Sequence, residues 1–218
     1  MDEGQKKEIL ASAESYIRTV FHGDFSGHDF YHSLRVYQMA TRIAEKENAS
    51  IFIVQMAALL HDVDDVKLFG DQTERLPNAV KFMKECGLNT EVINEVCNCI
   101  EEVSFKGTDT KTPTTLEAMI VQDADRIDAI GAIGIARAFA FGGNKNRMIY
   151  DPNEKPLIDM NEKQYRSRKS CSINHFYEKL LMLKDMMNTG AAKQIAEERH
   201  QFMQNFLDEF YAEWKGER

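Results

Sequence analysis

The 218-residue chain contains 27 Lys and Arg against 35 Asp and Glu, a formal net charge of −8, and 43% of its residues are hydrophobic. This hydrophobic fraction is typical of a globular protein and excludes a disordered chain. The negative charge argues against a surface that coats nucleic acid, and the apolar runs are shorter than the roughly 20 residues of a membrane span. The charged N-terminal segment predicts no secretory signal peptide.

Helical periodicity dominates the first half of the chain. Apolar residues recur every three or four positions over residues 6–21 and 28–47, which predicts amphipathic helices with one buried face. Residues 51–60 are apolar at every position except Gln55, so we expect other elements to surround this helix on all sides. Two shorter helices follow, over residues 78–86, with Gly87 as the C-cap glycine, and over residues 90–103.

The second half of the chain is also predicted to be helical. A long helix is expected over residues 116–141, with Thr114 and Thr115 at its start and two glycines after its end. Residues 143–171 contain two prolines and many charges, which predicts an irregular excursion over the surface. Two more helices are predicted over residues 173–188 and 191–214. Because no segment alternates as a strand does, the sequence predicts an all-α protein with residues 1–218 in a single domain.

The four cysteines are predicted to be free, buried thiols. Cys97 and Cys99 are two positions apart on a predicted helix and point in different directions, so they do not suit a zinc knuckle. Cys86 and Cys171 have no partner at metal-binding spacing, and small apolar side chains of this kind commonly fill a core. We therefore expect a cytoplasmic protein, where thiols stay reduced.

Ionisable residues stand at the inner ends of three apolar helices. His61 and Asp62 directly follow the apolar run, His32 lies among core-facing positions of its helix, and Asp125 lies between Ile120, Val121, Ala124 and Ala129. Burying an unpaired carboxylate is costly, so these groups need partners or a cation. Two imidazoles and two carboxylates suit a divalent transition metal such as Mn, Fe, Co, Ni or Zn. Asp123 is the alternative ligand to Asp125, and Asp128 is expected to cap the helix or to pair with Arg126 or a neighbour.

This ordered set of residues resembles the HD-domain superfamily of metal-dependent phosphohydrolases, and in particular its bacterial phosphohydrolase branch. The resemblance rests on His32 in "HSLRV", on His61-Asp62 and on Asp125 in "DADRIDAIGAIGIARAF", and it extends over about residues 20–210. It implies an HD core over about residues 20–140, with C-terminal helices over residues 172–215 packed on it and about eight helices in all. It also implies one divalent ion on His32, His61, Asp62 and Asp125, with Mn first and Mg, Fe, Co, Ni or Zn as alternatives.

The residues that follow the His-Asp pair are candidates for catalysis. Asp65 lies three positions after Asp62, so a continued helical turn would bring it back to the metal face, where related enzymes often place an acidic residue of the catalytic water network. Lys67 would border the opening of the site and contact phosphate. Asp64 is expected to face elsewhere and to be solvated, with an exchange of roles with Asp65 as the alternative.

Further basic residues and histidines are candidates for substrate contacts. Arg35 lies one turn after His32 and either contacts phosphate or pairs with an acid at the edge of the core. His28 shares a helix face with His32 and either contacts substrate or lies near solvent. Arg168 and Lys184 are candidates for holding a polyphosphate; for Arg168 the alternative is a solvated charge run. His175 either faces the site or packs, and His22 and His200 are expected at the surface or at the edge of the fold.

The resemblance implies a small-molecule nucleotide substrate, and several activities stay open. The leading hypothesis is hydrolysis of nucleoside or deoxynucleoside triphosphates to release pyrophosphate, because the 143–171 excursion carries many basic residues. Alternatives are a nucleoside 5′-monophosphate phosphatase, an alarmone hydrolase, or an HD module that senses a nucleotide without catalysis. Four aromatic residues near the C-terminus either form a homodimer surface or pack the last helix, namely Phe206, Phe210, Tyr211 and Trp214.

Overall fold

The computed structural model describes residues 1–23, 29–65 and 74–218 of the chain. These residues form ten α-helices and one 3-10 helix, and within them no β-strand occurs, so the predicted all-α class is confirmed. The α-helices in chain order are α1 (Glu3–Val20), α2 (Phe30–Glu47), α3 (Ile51–Leu60), α4 (Pro77–Glu85), α5 (Thr90–Glu101), α6 (Leu116–Asp128), α7 (Gly131–Asn144), α8 (Glu162–Ser167), α9 (Ser172–Glu178) and α10 (Gly190–Trp214), and the 3-10 helix is Leu180–Met186.

The chain divides into two compact units. The first consists of Met1–Ser104 and Lys111–Asp125, and the second of Phe105–Thr110 and Arg126–Arg218. The expectation that the whole chain forms one HD domain, with the C-terminal helices packed on its core, stays a prediction. None of the helices in the described part of the chain combines the length and hydropathy of a membrane span.

Helix α3 is the centre of the first unit. It packs against α1, α2 and α5, and eight of its ten residues are buried. Each fully buried Leu, Ile or Met contributes roughly 1.5–3 kcal/mol, so this helix supplies a large share of the hydrophobic stabilisation of the unit. The prediction that other elements surround this helix, made from its lack of a polar face, is thereby confirmed. The buried end of α3 at Leu60 leads directly into His61 and Asp62.

The predicted long helix over residues 116–141 is wrong, because the chain breaks between α6 and α7. Helix α6 ends at Asp128, and α7 begins at Gly131, whose φ is 76°. Only glycine adopts this left-handed conformation without steric cost. The Arg199 guanidinium donates hydrogen bonds to the carbonyls of Ile127 and Ile130 and so satisfies backbone groups at the end of α6.

The predicted helix over residues 173–188 is also interrupted. Helix α9 ends at Glu178, Lys179 leaves the helical region at φ −148° and ψ −59°, and a 3-10 helix continues to Met186. Helix α10 then packs against α7 and the 3-10 helix, with an aromatic cluster along its length. In this cluster Phe206 stacks on Phe176, and Phe210, Tyr211 and Trp214 surround the Tyr150 ring.

Candidate metal centre

Four predicted ligands converge in the first unit. His32 comes from the first turn of α2, His61 and Asp62 from the turn after α3, and Asp125 from α6. The His32 Nε2 atom lies 3.3 Å from His61 Nε2, 3.4 Å from Asp62 Oδ2 and 3.4 Å from Asp125 Oδ1. The His61 Nε2 atom lies 3.3 Å from Asp62 Oδ2 and 4.0 Å from Asp125 Oδ1. Of these groups, His32, His61 and Asp62 are buried and form a cluster that could hold a metal ion.

Local contacts orient the His61 ring and fix the helical turn that carries His32. The His61 Nδ1 atom lies 2.8 Å from the Ala58 carbonyl oxygen, an acceptor, so this nitrogen carries the proton when the ring is neutral. The lone pair of a neutral His61 is then on Nε2, the atom that faces the cluster. His32 lies at the start of α2, where its backbone N–H donates to the capping carboxylate of Asp29 at 2.8 Å. The cap thus fixes the turn of α2 that carries His32.

The donor set fits a divalent metal ion in number, spacing and charge. Metal–ligand bonds of about 2.1 Å place neighbouring donor atoms about 3.0–3.4 Å apart, close to the separations within this cluster. Two neutral imidazoles with two carboxylates carry a charge of −2, which a divalent ion neutralises. The side chain of Asp125 retains 27% exposure, so the cluster is accessible from solvent on that side.

The electrostatics of the cluster agree with this fit. Burial opposes ionisation of Asp125, but the hydrogen bond and charge from His32, together with the charge of His61, hold the pKa of its carboxyl below the usual value. Burial also opposes protonation of His61, and the neighbouring Asp62 carboxylate outweighs it and raises the pKa of the imidazole. The carboxylates therefore favour a cation at this place, either a proton on His61 or a metal ion.

The other aspartates of α6 have different environments. Asp125 lies within 4.0 Å of both imidazoles, and Asp123 is fully buried. Asp128 was expected to cap the helix or to pair with Arg126 or a neighbour, and its Oδ2 atom accepts a bond of 2.7 Å from Arg137. Arg126 donates to the Met186 carbonyl.

The turn after α3 corrects the prediction for Asp64. This carboxylate does face away from the cluster, but it is buried rather than solvated, with 8% exposure. It accepts backbone N–H bonds from Asn78 at 3.0 Å and Ala79 at 2.9 Å. The sequence offers no local signal for this role, because the partners lie 14 and 15 residues away. Asp65 is half-buried, and its catalytic role stays a prediction.

The predicted substrate contacts are spread over the chain. Arg35 is half-buried on α2, one turn after His32, while His28 and Lys67 lie outside the described residues. In the second unit, Arg168 forms ion pairs with Glu154 and Glu178, each at 3.1 Å. Lys184 pairs with Glu197 at 3.2 Å. The roles of these residues in substrate binding stay predictions.

The remaining histidines differ in burial. His175 packs on the Tyr165 ring, with 6.4 Å between ring centroids, in agreement with the packing alternative. His22 is exposed as expected. The expectation for His200 is wrong, because this residue is buried on α10, whose inner face carries it together with Ala196 and Met203.

Comparisons with known proteins agree with the fold and the cluster. The HD domain family profile matches residues 29–130. YpgQ of Bacillus subtilis is 40% identical over 195 residues, which cover 88% of this chain and 87% of YpgQ. The crystal structure of YpgQ in complex with ADP matches with a TM-score of 0.77 and 34% identity over 96% of each chain.

Two further solved structures are similar over nearly the whole chain. A Lactobacillus plantarum protein matches with a TM-score of 0.86 and 36% identity over 99% of both chains. An HD-superfamily hydrolase from Bacillus thuringiensis matches with a TM-score of 0.76 and 41% identity over 96% of this chain and 98% of that one. The all-helical fold and the His, His-Asp and Asp cluster define a metal-dependent phosphohydrolase. The chain belongs to the HD-domain superfamily, as its sequence predicts.

Proposed function

We propose that the protein hydrolyses nucleoside or deoxynucleoside triphosphates to the monophosphate and pyrophosphate. The reaction would use one divalent ion, with Mn²⁺ as the first candidate, held by His32, His61, Asp62 and Asp125. The observation that carries this proposal is the convergence of these four side chains. The Asp62 and Asp125 carboxylates each lie within 4.0 Å of the Nε2 atoms of both histidines. The crystallisation of the relative YpgQ with ADP supports a nucleotide ligand with more than one phosphate.

The candidate site residues of the first unit have distinct roles in this proposal. The bound ion would lower the pKa of a water and polarise a phosphoryl oxygen. The bond between His61 Nδ1 and the Ala58 carbonyl keeps Nε2 directed into the cluster before substrate arrives, so little reorganisation is needed. Asp65 would accept or return a proton at the reacting water. Arg35 and Lys67 would neutralise phosphate oxygens that the ion does not reach.

The preference for a triphosphate rests on positive charge. Four lysines of the 143–171 segment are exposed and could attract a polyphosphate chain, namely Lys145, Lys155, Lys163 and Lys169. Arg168 and Lys184 belong to the same proposal, although both already pair with glutamates. A monophosphate phosphatase, an alarmone hydrolase and a nucleotide sensor without catalysis are the alternatives that the experiment must separate.

A substrate panel tests the proposal. Purified protein with Mn²⁺ is incubated with nucleoside mono-, di- and triphosphates, their deoxy forms and a guanosine alarmone, and ion chromatography separates phosphate from pyrophosphate. We expect pyrophosphate from triphosphates, and a loss of at least 100-fold in His61→Ala and Asp62→Ala. The matched control is His22→Ala, which removes an exposed histidine and should retain full activity.

Each other outcome of the panel favours a defined alternative. Phosphate from monophosphates, without pyrophosphate from triphosphates, assigns the phosphatase activity instead. Turnover of the guanosine alarmone alone assigns the alarmone hydrolase. Nucleotide binding without turnover of any phosphate ester, in protein loaded with Mn²⁺, favours the sensor and rejects the enzymatic proposal.

The proposal also covers location and assembly. The four cysteines are free and three of them are buried, which suits a reducing cytoplasm.

Among the C-terminal aromatics, Phe206, Phe210 and Tyr211 pack inside the second unit, whereas Trp214 stacks on Phe210 with 53% of its surface exposed. We propose the exposed Trp214 as part of a homodimer contact, and light scattering of Trp214→Ser against the unaltered protein tests it.

A further inference from the structure

The turn that carries His61 and Asp62 lies outside regular helical hydrogen bonding. Helix α3 ends at Leu60, and the next backbone bonds reach three residues back, from Val63 N–H to the Leu60 carbonyl at 3.2 Å and from Asp65 N–H to the Asp62 carbonyl at 3.1 Å. Such tight turns have poorer bond geometry than an α-helix. The backbone of this turn, which carries two of the proposed metal ligands, therefore depends on contacts from other elements for a fixed position.

The N-terminus of α4 needs a partner as well. Its N-cap position is Leu76, which has no side-chain oxygen and adopts a left-handed conformation with φ 44° and ψ 58°. Pro77 has no backbone N–H, so Asn78 and Ala79 carry the first unpaired donors of the helix. The Asp64 carboxylate accepts both of them, through Oδ1 at 3.0 Å and Oδ2 at 2.9 Å. Asp64 thus caps α4 from a distant position in the chain.

A third hydrogen bond joins the same two segments. The Asn78 side-chain Nδ2 atom donates to the Val63 carbonyl at 3.0 Å. Residues 63 and 64 are therefore joined to residues 78 and 79 by three hydrogen bonds, which we call the ligand-turn clamp. Because Asp64 is only 8% exposed, water cannot readily replace these bonds. The positive end of the α4 dipole further favours the carboxylate at this place.

We propose that Asp64 and Asn78 are positioning residues that fix His61 and Asp62 for metal binding. This inference rests on the proposed metal site. None of the three bonds of the ligand-turn clamp involves a side chain of the four candidate ligands. Asp64 and Asn78 instead act through the backbone of the turn, of which Asp62 and Val63 are part. Residues that orient metal ligands in this indirect way commonly change metal affinity by about 10–100-fold.

A simple helix cap is the competing explanation of the same bonds. A cap that only stabilises α4 would change the unfolding temperature and leave the metal affinity of the folded protein unaltered. Helix α5 offers a matched control, because Asn89 caps it through a bond of 2.9 Å from the Val92 N–H and is exposed. Asn89→Ala removes a cap in the same unit without touching the ligand turn.

The experiment measures metal binding rather than catalysis. The unaltered protein, Asp64→Ala, Asp64→Asn, Asn78→Ala and Asn89→Ala are freed of metal with a chelator and titrated with MnCl₂ in a calorimeter. The visible absorption spectrum with CoCl₂ reports the ligand geometry. We expect the Kd for Mn²⁺ to rise at least tenfold in Asp64→Ala and about threefold to tenfold in Asn78→Ala, with an altered Co²⁺ spectrum in both.

The conservative variant and the control complete the test. Asp64→Asn retains one acceptor oxygen, so its Kd should lie between those of Asp64→Ala and the unaltered protein. Asn89→Ala should lower the unfolding temperature and leave the Kd within twofold. Should Asp64→Ala fail to fold, Asn78→Ala still decides the question, because the backbone bonds from positions 78 and 79 to Asp64 persist in it.

Failure of this inference differs from failure of the proposed function. A folded Asp64→Ala or Asn78→Ala protein whose Kd and Co²⁺ spectrum match those of the unaltered protein reduces the clamp to a helix cap, while the metal site stands. An unaltered protein that binds neither Mn²⁺ nor Co²⁺ overturns both. A change in Kd in Asn89→Ala as large as in Asp64→Ala would show that any loss of stability weakens metal binding, and would overturn the positioning role.

Discussion

The Nε2 atoms of His32 and His61 lie 3.3 Å apart in the interior of the first unit, on rings that meet at an angle of 72°. Two imidazole lone pairs at this separation repel each other unless a proton or a metal ion lies between them. The Asp62 and Asp125 carboxylates approach the same point and favour either cation. Folding of α2, α3 and α6 therefore creates a site whose charge is balanced by cation binding.

Metal binding should stabilise the protein. At a Mn²⁺ concentration of 100 times Kd, the free energy of unfolding should rise by about 2.7 kcal/mol. For a chain of this length, the melting temperature should then increase by about 5–10 °C. Differential scanning calorimetry of chelator-treated protein with and without Mn²⁺ measures the shift. Asp62→Ala should show almost none, and an equal shift in this variant would place the stabilising ion elsewhere.

The sequence predicted that the four candidate metal ligands come together, because burial of charge can be inferred locally. Each of these side chains lies next to an apolar helical segment and was therefore expected to be buried with a partner, namely His32, His61, Asp62 and Asp125. Asp64 gave no such signal. It follows the same apolar run, but its partners at positions 78 and 79 belong to another helix, and only the tertiary structure brings them together.

The helix breaks were unpredictable for a related reason. Ala129, Ile130 and Gly131 continue the apolar pattern of a helix, and glycine alone does not reveal a positive φ. Arg199, which bonds to the end of α6, lies about 70 residues further along the chain. By contrast, α3 was predicted correctly because the absence of any polar face is a property of the segment itself.

Arg168 should contribute to stability. Its guanidinium pairs with Glu154 and with Glu178, whose side chain is 3% exposed and also accepts a bond of 2.7 Å from Ser170. Arg168→Ala leaves the buried Glu178 carboxylate without its cation, so the free energy of unfolding should fall by about 2–4 kcal/mol. Urea denaturation measures the loss.

Lys184 supplies the comparison for Arg168. Its partner Glu197 has 63% of its side chain exposed, so Lys184→Ala should change the free energy of unfolding by less than about 1 kcal/mol. If Arg168→Ala is as stable as Lys184→Ala and its KM for nucleotide rises, the arginine contacts substrate rather than the acidic residues around it. A large loss of stability with unchanged KM gives Arg168 a structural role.

His175 should make the protein sensitive to acid. Burial, together with the charges of Lys179 and Arg147, lowers the pKa of this imidazole from 6.5 to about 3. The unfolded chain takes up a proton at this residue below pH 6.5 and the folded chain does not, so stability falls as the pH drops from 6.5 toward 3. Since the ring keeps some solvent contact, we expect a loss of about 1–2 kcal/mol by pH 4.

A variant isolates this contribution from the protonation of carboxylates. His175→Gln cannot titrate, so its free energy of unfolding should fall less steeply than that of the unaltered protein between pH 7 and pH 4. Urea titrations at four pH values give the difference in slope. Parallel curves for the two proteins would mean that the folded protein accepts the proton on His175 without penalty.

Gly131 should tolerate alanine less well than Gly87, although both have the same backbone conformation. Their φ values are 76° and 75°, so the left-handed conformation costs each alanine variant about 1–2 kcal/mol. At Gly87 nothing lies within 4 Å of an added Cβ atom, whereas at Gly131 the atom would lie 2.9 Å from Arg199 Cγ. Displacement of Arg199 would also break its bond to the Ile127 carbonyl, so Gly131→Ala should cost about 1–3 kcal/mol more than Gly87→Ala. Urea denaturation of both variants measures this excess, and equal losses would show that the Arg199 side chain moves aside freely and does not hold the end of α6.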